Sequence, residues 1–455
     1  MATTARSSGN AVDTTHAARD SRTSVTRLAL TSLASTSFEW YDFFLYGTAA
    51  ALVFPKVFFP ETLPPFVALI ASFSTFTVGF IARPVGALVF GHFGDHAGRK
   101  AALVAALLMM GGSTTLIGFL PSYASAGMLA PLLLVVLRFV QGLAIGGQWG
   151  GAMLLVTESA PAGKRGFYGS FAQAGVPVGV VLANLALLIA SGTTSADEFL
   201  SWGWRVPFIV SVVLVGLGLF VKFRTEDSAT FRTAKKTAEP AQRSAIIEAF
   251  RLHPRNILLG AGAFIAGNLI FYVMITFALA YGSGAGGLGL PRSTMLTAVM
   301  ISMGAMLPAL VLFGALSDRF GRRFVFMSGA LLTALWSFAL FPLIETRSLL
   351  WISVGLCVGH VFGAMMYGPQ AALFTELFST KVRYSGASLG YQIGSIFGGA
   401  LAPLIATTLL EEFENTLAIS VYIAAACTVS IVSVYMLRET RGAALHEPGE
   451  LTPPS

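Results

Sequence analysis

The most regular feature of the chain is a succession of long apolar runs separated by short polar segments. Twelve of these runs are long enough to cross a bilayer, because about 20 apolar residues span its hydrocarbon core. They cover residues 29–54, 66–92, 101–120, 128–152, 167–191, 205–223, 256–281, 293–317, 324–344, 348–375, 384–410 and 416–438. The pattern therefore predicts an all-α membrane protein with twelve transmembrane helices.

Composition agrees with a membrane protein and disfavours other classes. Of the 455 residues, 55% are hydrophobic and only 11% are charged, whereas soluble domains carry about 25% charged residues. The net charge of +7 comes from basic residues in short loops, so no nucleic-acid surface is predicted. His92 and His96 lack a third convincing ligand, and no nucleophile has a base at recognisable spacing. We therefore expect neither an enzyme nor a metal site, and no cofactor.

The distribution of Lys and Arg predicts the orientation, because cytoplasmic loops are enriched in both. Segments on the side of the N-terminus hold most of them, and the opposite side has only Lys56, Arg205, Arg292 and Arg347. Both termini are thus expected in the cytoplasm. The predicted organisation is a disordered tail (1–28), a six-helix bundle (29–223), a cytoplasmic connector (224–255), a second six-helix bundle (256–438) and a short cytoplasmic tail (439–455).

The two predicted bundles contain matching motifs in the same order. GHFGDHAGRK at 91–100 matches GALSDRFGRR at 314–323, and TESAPAGKRGFYGS at 157–170 matches TELFSTKVRYSGAS at 375–388. The second match pairs Glu158 with Glu376 and Arg165 with Arg383, both at an offset of 218 residues. Halves in the same orientation are parallel repeats, which predicts a binding site between them near the membrane midplane.

Glycines recur every four residues in the fourth predicted helix. They are Gly142, Gly146 and Gly150. Small residues at that spacing let helices pack backbone to backbone. A phosphate-binding loop is disfavoured because no strand precedes these glycines and no Lys-Ser or Lys-Thr follows them.

The motifs resemble those of the major facilitator superfamily and, within it, the metabolite:proton symporter family. The resemblance rests on FEWYDFFLYG (38–47), FIARPVGALVFGHFGDHAGRK (80–100), RFVQGLAIGGQWGG (138–151), WGWRVPF (202–208) and ELFSTKVRYSGASLGYQIGS (376–395). It implies two rocking six-helix halves, proton-coupled uptake of a metabolite, and gating roles for Asp95 with Arg99 and for Asp318 with Arg322. One departure lies at AGAFIAGNLIFYV (261–273), which lacks charged residues that some members carry there.

Two acids in the first predicted helix are the leading candidates for a proton site. Glu39 and Asp42 are three residues apart and should share one helix face. A charge at a helix centre costs roughly 2.5–3.5 kcal/mol on insertion scales, so such acids usually mark function. Paired carboxylates with little water tend to retain a proton. Alternatively, one acid only neutralises Arg83 or Arg138. His360 is a further candidate proton site.

Two arginines within predicted helices are candidate substrate ligands. Arg83 and Arg138 cannot lose their charge, so each requires a carboxylate, backbone carbonyls or an anionic substrate. Arg83 could instead extend to the membrane surface. Other candidate substrate contacts are polar residues in apolar runs, for which helix-to-helix hydrogen bonds are the alternative. They are Gln141, Gln173, Asn268, Tyr272, Tyr367, Tyr391 and Gln392.

Together these features predict a carrier of the cytoplasmic membrane that imports a small organic acid or zwitterion with protons. Its expected partners are the substrate, protons and lipid, and we expect a monomer. One alternative is a proton antiporter that exports a drug or metabolite, although AGVPVGV (174–180) only partly resembles the exporter motif. The other alternative is a membrane sensor that binds a ligand without moving it.

Overall fold

The protein is a bundle of long helices that follow the predicted apolar runs. The computed structural model describes residues 9–97, 99–146, 149–226, 251, 253–284, 287–378 and 383–442, and within these ranges it contains no strand. The helices are α1 (Gly9–Leu52), α2 (Pro65–Ala97), α3 (Arg99–Ile117), α4 (Leu129–Gly146), α5 (Arg165–Thr193), α6 (Arg205–Glu226), α7 (Pro254–Ser283), α8 (Arg292–Phe320), α9 (Arg322–Glu345), α10 (Leu349–Leu377), α11 (383–413) and α12 (Leu417–Met436). A shorter helix, Trp149–Ser159, follows α4. Helices α7 and α11 contain π-helical turns at Val273–Phe277 and Ile396–Ala400.

Most of the predicted spans are long and apolar enough to cross a membrane. In the described part of the chain nine helices meet this condition, and the bent pair formed by Ala196–Gly203 and Arg205–Leu217 would be a tenth span. The predicted third span corresponds to a shorter apolar helix, Val104–Ile117. The first corresponds to α1, in which Glu39 and Asp42 interrupt the apolar run. The predicted all-α, multi-span architecture is therefore confirmed.

The first helix is longer than its apolar run. It begins at Gly9, within the segment that was predicted to be a disordered tail. Adding residues to an existing helix costs much less than nucleating one, so a polar segment can continue the helix of the span that follows. Most of the predicted connector, 224–255, lies outside the described residues.

The two halves meet mainly along α5 with α8, α5 with α10, α2 with α11, and α1 with α7. The short helix Trp149–Ser159 of the first half also contacts α10 and α11. Helices α5 and α8 approach most closely at Gly166 and Gly314. A Cβ on Gly314 would lie 2.6 Å from the carbonyl oxygen of Gly166 and 2.9 Å from Cβ of Ser170. Within the first half, a Cβ on Gly142 would lie 2.7 Å from Cβ of Ala82 in α2. The predicted backbone-to-backbone packing of α4 is thus observed.

The bundle is closed at one end and open at the other. We call the end where α5, α9 and α11 begin the charged face, and the other end the open face. At the open face, where α1 ends and α8 begins, a cavity of about 1440 Å³ lies between the halves. Its lining carries both signs of charge, from Lys56, Arg205, Arg292, Glu61, Asp197, Glu411 and Glu414.

Candidate functional site

The acids of α1 lie between the helices of the first half. Asp42 is 3% exposed, and the hydroxyls of Thr114 in α3 and Ser211 in α6 lie beside its carboxylate. Its Oδ1 has no hydrogen-bond partner. Glu39, one turn earlier, is partly exposed and lines the same small cleft as Asp42. The two acids therefore share a face of α1, as predicted.

Both candidate arginines are fully buried among aromatic rings. Arg83 and Arg138 are each 0% exposed, so Arg83 does not extend to the membrane surface as the alternative prediction allowed. The Cζ atoms of Arg83 and Arg138 lie 4.5 and 4.4 Å from the ring centre of Phe43, which is shared between them. The Cζ atom of Arg83 also lies 4.1 Å from the ring centre of Phe80, and that of Arg138 lies 4.1 Å from the ring centre of Tyr46. Ring faces attract guanidinium groups but do not neutralise them.

No described carboxylate pairs with either arginine. None of the three guanidinium nitrogens of Arg83 has a hydrogen-bond partner, although the hydroxyls of Tyr272 and Tyr391 are close to it. Arg138 makes one hydrogen bond, from Nη1 to Oε1 of Gln141 at 2.8 Å, and its Nε and Nη2 have none. The alternative in which an acid neutralises Arg83 or Arg138 is therefore not observed.

An indirect path nevertheless connects Arg138 with Asp42. Gln141 accepts from Arg138 and donates through Nε2 to Oγ1 of Thr114 at 2.6 Å. The same hydroxyl lies beside the Asp42 carboxylate. One hydroxyl and one amide thus lie between the two charged groups, and the Thr114 hydroxyl itself donates to the Met110 carbonyl oxygen at 2.8 Å.

The second half contributes His360 to a small cavity between the halves. A cavity of about 30 Å³ lies between Trp40 and Phe44 of α1 and residues of α7, α10 and α11. His360 lies here with Nδ1 2.9 Å from the Leu356 carbonyl oxygen, and Asn268 donates to Phe264 in its own helix. Three of the predicted tyrosines also line this cavity: Tyr272, Tyr367 and Tyr391.

Two predicted glutamines differ in their placement. Gln173 in α5 donates to the Tyr367 carbonyl oxygen at 3.1 Å, so it bridges the two halves. Gln392 is 3% exposed and its Oε1 has no partner. It does not line the cavity that its neighbour Tyr391 lines, because adjacent residues of a helix point in different directions. Gln392 therefore lies outside this cavity.

The charged face is closed by ion pairs between the halves. Arg165 contacts Glu376 at 3.4 Å, and Arg383 contacts Glu158 at 2.9 Å. These are the residues that the repeat matched, and each arginine pairs with the acid of the other half. The hydroxyls of Thr157 and Thr375, also 218 residues apart, meet each other at 2.8 Å.

The predicted pair of Asp318 and Arg322 extends this closed region. Its atoms Oδ1 and Nη1 are 2.7 Å apart, and Arg322 also contacts Glu376 at 3.3 Å. Asp318 accepts hydrogen bonds from the backbone N–H groups of Gly166 and Phe167 at the start of α5, both at 2.9 Å. The side chains of the other gating candidates, Asp95 and Arg99, lie outside the described part of the structure. We call Glu158, Arg165, Asp318, Arg322, Glu376 and Arg383 the ion-pair cluster.

The chain after α12 contributes to the same face. Glu439 accepts hydrogen bonds from the backbone N–H groups of Arg322 and Arg323 at 3.0 and 3.1 Å, and Thr440 donates to Glu376 at 3.0 Å. Burial opposes ionisation of Glu439, but the backbone donors outweigh it and lower its pKa. Sequence reasoning missed Glu439 and did not assign a role to Glu376. The repeat, which matches Glu376 with Glu158, was the sequence feature that could have identified Glu376.

Comparison with known proteins identifies the family of this chain. The sequence profile of the Major Facilitator Superfamily matches residues 67–389 and 285–454. The chain is 42% identical over 421 residues to the inner membrane metabolite transport protein YhjE of Escherichia coli (strain K12), which covers 91% of this chain and 94% of that protein. The chain belongs to the major facilitator superfamily. It is also 40% identical to the shikimate transporter of the same organism, over 92% of this chain and 95% of that one.

The fold of the superfamily is also found in solved structures. A partially occluded inward open structure of the xylose transporter XylE from E. coli matches with a TM-score of 0.72 at 18% identity, covering 93% of this chain and 100% of that one. At this identity the match shows the fold alone. The protein is therefore a multi-pass membrane protein and a secondary transporter of the major facilitator type, and not an enzyme.

Proposed function

We propose that this member of the superfamily is a proton-coupled symporter that imports a small organic acid or zwitterionic metabolite by alternating access. The observation that carries the proposal is a pair of fully buried guanidinium groups, Arg83 and Arg138, with no carboxylate partner among the described residues. Because their charge cannot be lost, an anionic group of the substrate is the natural counter-ion. The name of the shikimate transporter supports a carboxylate, because shikimate is a carboxylic acid.

In this proposal the proton resides on Asp42, with Glu39 beside it, and His360 remains the second candidate proton site. The substrate carboxylate binds between Arg83 and Arg138, and the remaining polar candidates contact the rest of the molecule. They are Gln141, Gln173, Asn268, Tyr272, Tyr367, Tyr391 and Gln392. Protonation of Asp42 and occupation of Arg138 should favour each other, because a neutral Asp42 repels an anionic substrate less than a charged one does.

The described state has the open face accessible and the charged face closed. We propose that the charged face is cytoplasmic, with both termini on that side, and that the monomer resides in the cytoplasmic membrane. The name of YhjE supports the inner membrane. Binding of proton and substrate then allows the halves 29–223 and 256–438 to rock, which separates the ion-pair cluster. The gating candidates Asp95 and Arg99 are assigned to the same cluster by the repeat.

Transport by purified protein in proteoliposomes tests the proposal. An acidic exterior should drive accumulation of labelled organic acids, and Asp42→Asn should abolish accumulation but retain exchange of substrate for substrate. Asp197→Asn is the matched control, because Asp197 is an exposed acid of the wide cavity and should leave accumulation intact. Normal accumulation by Asp42→Asn would contradict the assignment. Proton-driven movement in the outward sense would favour an antiporter, and binding without any translocation would favour a sensor.

A further inference from the structure

His360 offers a single unused hydrogen-bond acceptor in a buried cavity. Its Nδ1 lies 2.9 Å from the Leu356 carbonyl oxygen. A carbonyl oxygen can only accept, so Nδ1 carries the hydrogen and Nε2 of the neutral ring is an acceptor. Nε2 is buried and has no partner. Because a buried acceptor without a donor is costly, we expect a hydrogen-bond donor at this atom, either a water molecule or a group of the substrate that displaces it.

The cavity at His360 has the size of one small polar group. Its volume of about 30 Å³ can hold roughly one water molecule. Phe271, Met274 and Met306 form apolar walls, which exclude a charged group but accept the carbon skeleton that would carry a hydroxyl. The group that donates to Nε2 is therefore small and uncharged, and the part of the molecule that carries it is mostly apolar.

Two tyrosines lie between the cavity and the Arg83 guanidinium. Tyr272 and Tyr391 line the cavity, and the hydroxyls of both lie close to the Arg83 guanidinium. A substrate that reaches from Arg83 to His360 would therefore pass along these two tyrosines.

Two kinds of substrate group could donate to Nε2, an ammonium and a hydroxyl, and the positive charge of the nearby arginines favours the hydroxyl. An ammonium group would approach two guanidinium groups that no described carboxylate neutralises, and like charges repel strongly where water is scarce. A trimethylammonium group has no hydrogen to donate. A hydroxyl donates without charge, and it fits the small volume.

We propose that the cavity at His360 receives a hydroxyl group of the substrate, so that the transported molecule is a hydroxylated carboxylate and not a zwitterion. This inference rests on the proposed function, because it assumes that a carboxylate binds at Arg83 and Arg138. His360 then distinguishes hydroxylated from unsubstituted acids by accepting one hydrogen bond at Nε2.

Binding of a matched pair of acids to the full-length protein tests this inference. Shikimate and 1-cyclohexenecarboxylate have the same ring and carboxylate, but only shikimate has hydroxyls. The wild-type protein should bind shikimate about tenfold or more tightly, the effect expected for a lost hydrogen bond that leaves a buried acceptor unpaired. In His360→Leu this preference should fall about tenfold, while the affinity for 1-cyclohexenecarboxylate stays the same or rises.

Two further variants separate the hydrogen bond from packing. His360→Gln keeps an acceptor oxygen and should retain part of the preference. Met306→Leu alters the same cavity without a polar atom, so it should change both affinities alike and keep their ratio. Unchanged preference in His360→Leu, or tighter binding of glycine betaine than of either acid, would overturn the inference alone. If neither these acids nor any other carboxylate binds the wild-type protein, the proposed function fails as well.

Discussion

Glu376 is the most deeply buried acid of the ion-pair cluster. Its side chain is fully buried and lies between Arg165 at 3.4 Å and Arg322 at 3.3 Å, with a further hydrogen bond from Thr440 at 3.0 Å. Glu376→Gln keeps the shape and one acceptor oxygen but removes the charge. We expect the variant to favour separation of the halves at this face.

The size of the effect can be worked from these contacts. Removing one partner of a buried ion pair costs about 3–5 kcal/mol, because the other charge stays buried. Separation of the halves breaks only the contact between Glu376 and Arg165, because Arg322 and Thr440 lie in the same half as Glu376. Glutamine still accepts one hydrogen bond from Arg165, so the loss should be nearer to about 2–3 kcal/mol. This corresponds to a shift of about 30- to 150-fold in the equilibrium between closed and separated states.

Spin labels on Lys164 and Phe320, exposed residues of the two halves near the charged face, would measure this shift. They require a background in which Cys357 and Cys427 are replaced. The matched control is Glu158→Gln, the repeat equivalent, because its side chain is 38% exposed and makes one contact, to Arg383. Exposed pairs contribute about 0–1 kcal/mol, so the control should shift the distances little. An equal shift in both variants, or none in folded Glu376→Gln, would refute the reasoning.

Three further outcomes are expected. Gly142→Leu should lower the unfolding temperature in detergent by the equivalent of about 1–3 kcal/mol through overpacking, whereas Gly112→Leu should not, because a Cβ on Gly112 meets nothing within 4 Å. Arg138→Lys keeps the charge but loses the guanidinium fork, so the affinity for shikimate should fall about tenfold. Glu439 has a lowered pKa, so its stabilising contribution is present above the pKa of the unfolded chain and is lost as the pH falls through the lower folded value. Glu439→Gln should accordingly unfold at a lower temperature than the wild type at neutral pH, and this difference should shrink in acid.

Local pattern was enough to predict the helices and the repeat between the halves, and it was not enough to predict the contacts of the site. Apolar runs predict spans because the bilayer imposes a length, and the two matched motifs predicted which residues are equivalent. That Arg165 would pair with Glu376 required knowledge of how the halves meet. The link from Gln141 to Thr114 joins helices α4 and α3, and no sequence spacing specifies it. Such contacts depend on helix rotation, which apolar runs with few polar positions leave open.

The two ion pairs between the halves, Arg165 with Glu376 and Arg383 with Glu158, are related by the internal repeat. Residues that contact their own equivalents, as Thr157 does with Thr375, are characteristic of an interface between two identical chains related by a two-fold axis. The arrangement is what gene duplication and fusion of a six-helix dimer would leave behind. Since then the two copies have diverged, because Glu376 is buried among several donors while Glu158 is partly exposed with a single arginine. Of the two ion pairs that the repeat makes equivalent, the one at Glu376 is therefore the more buried and has more hydrogen-bond partners.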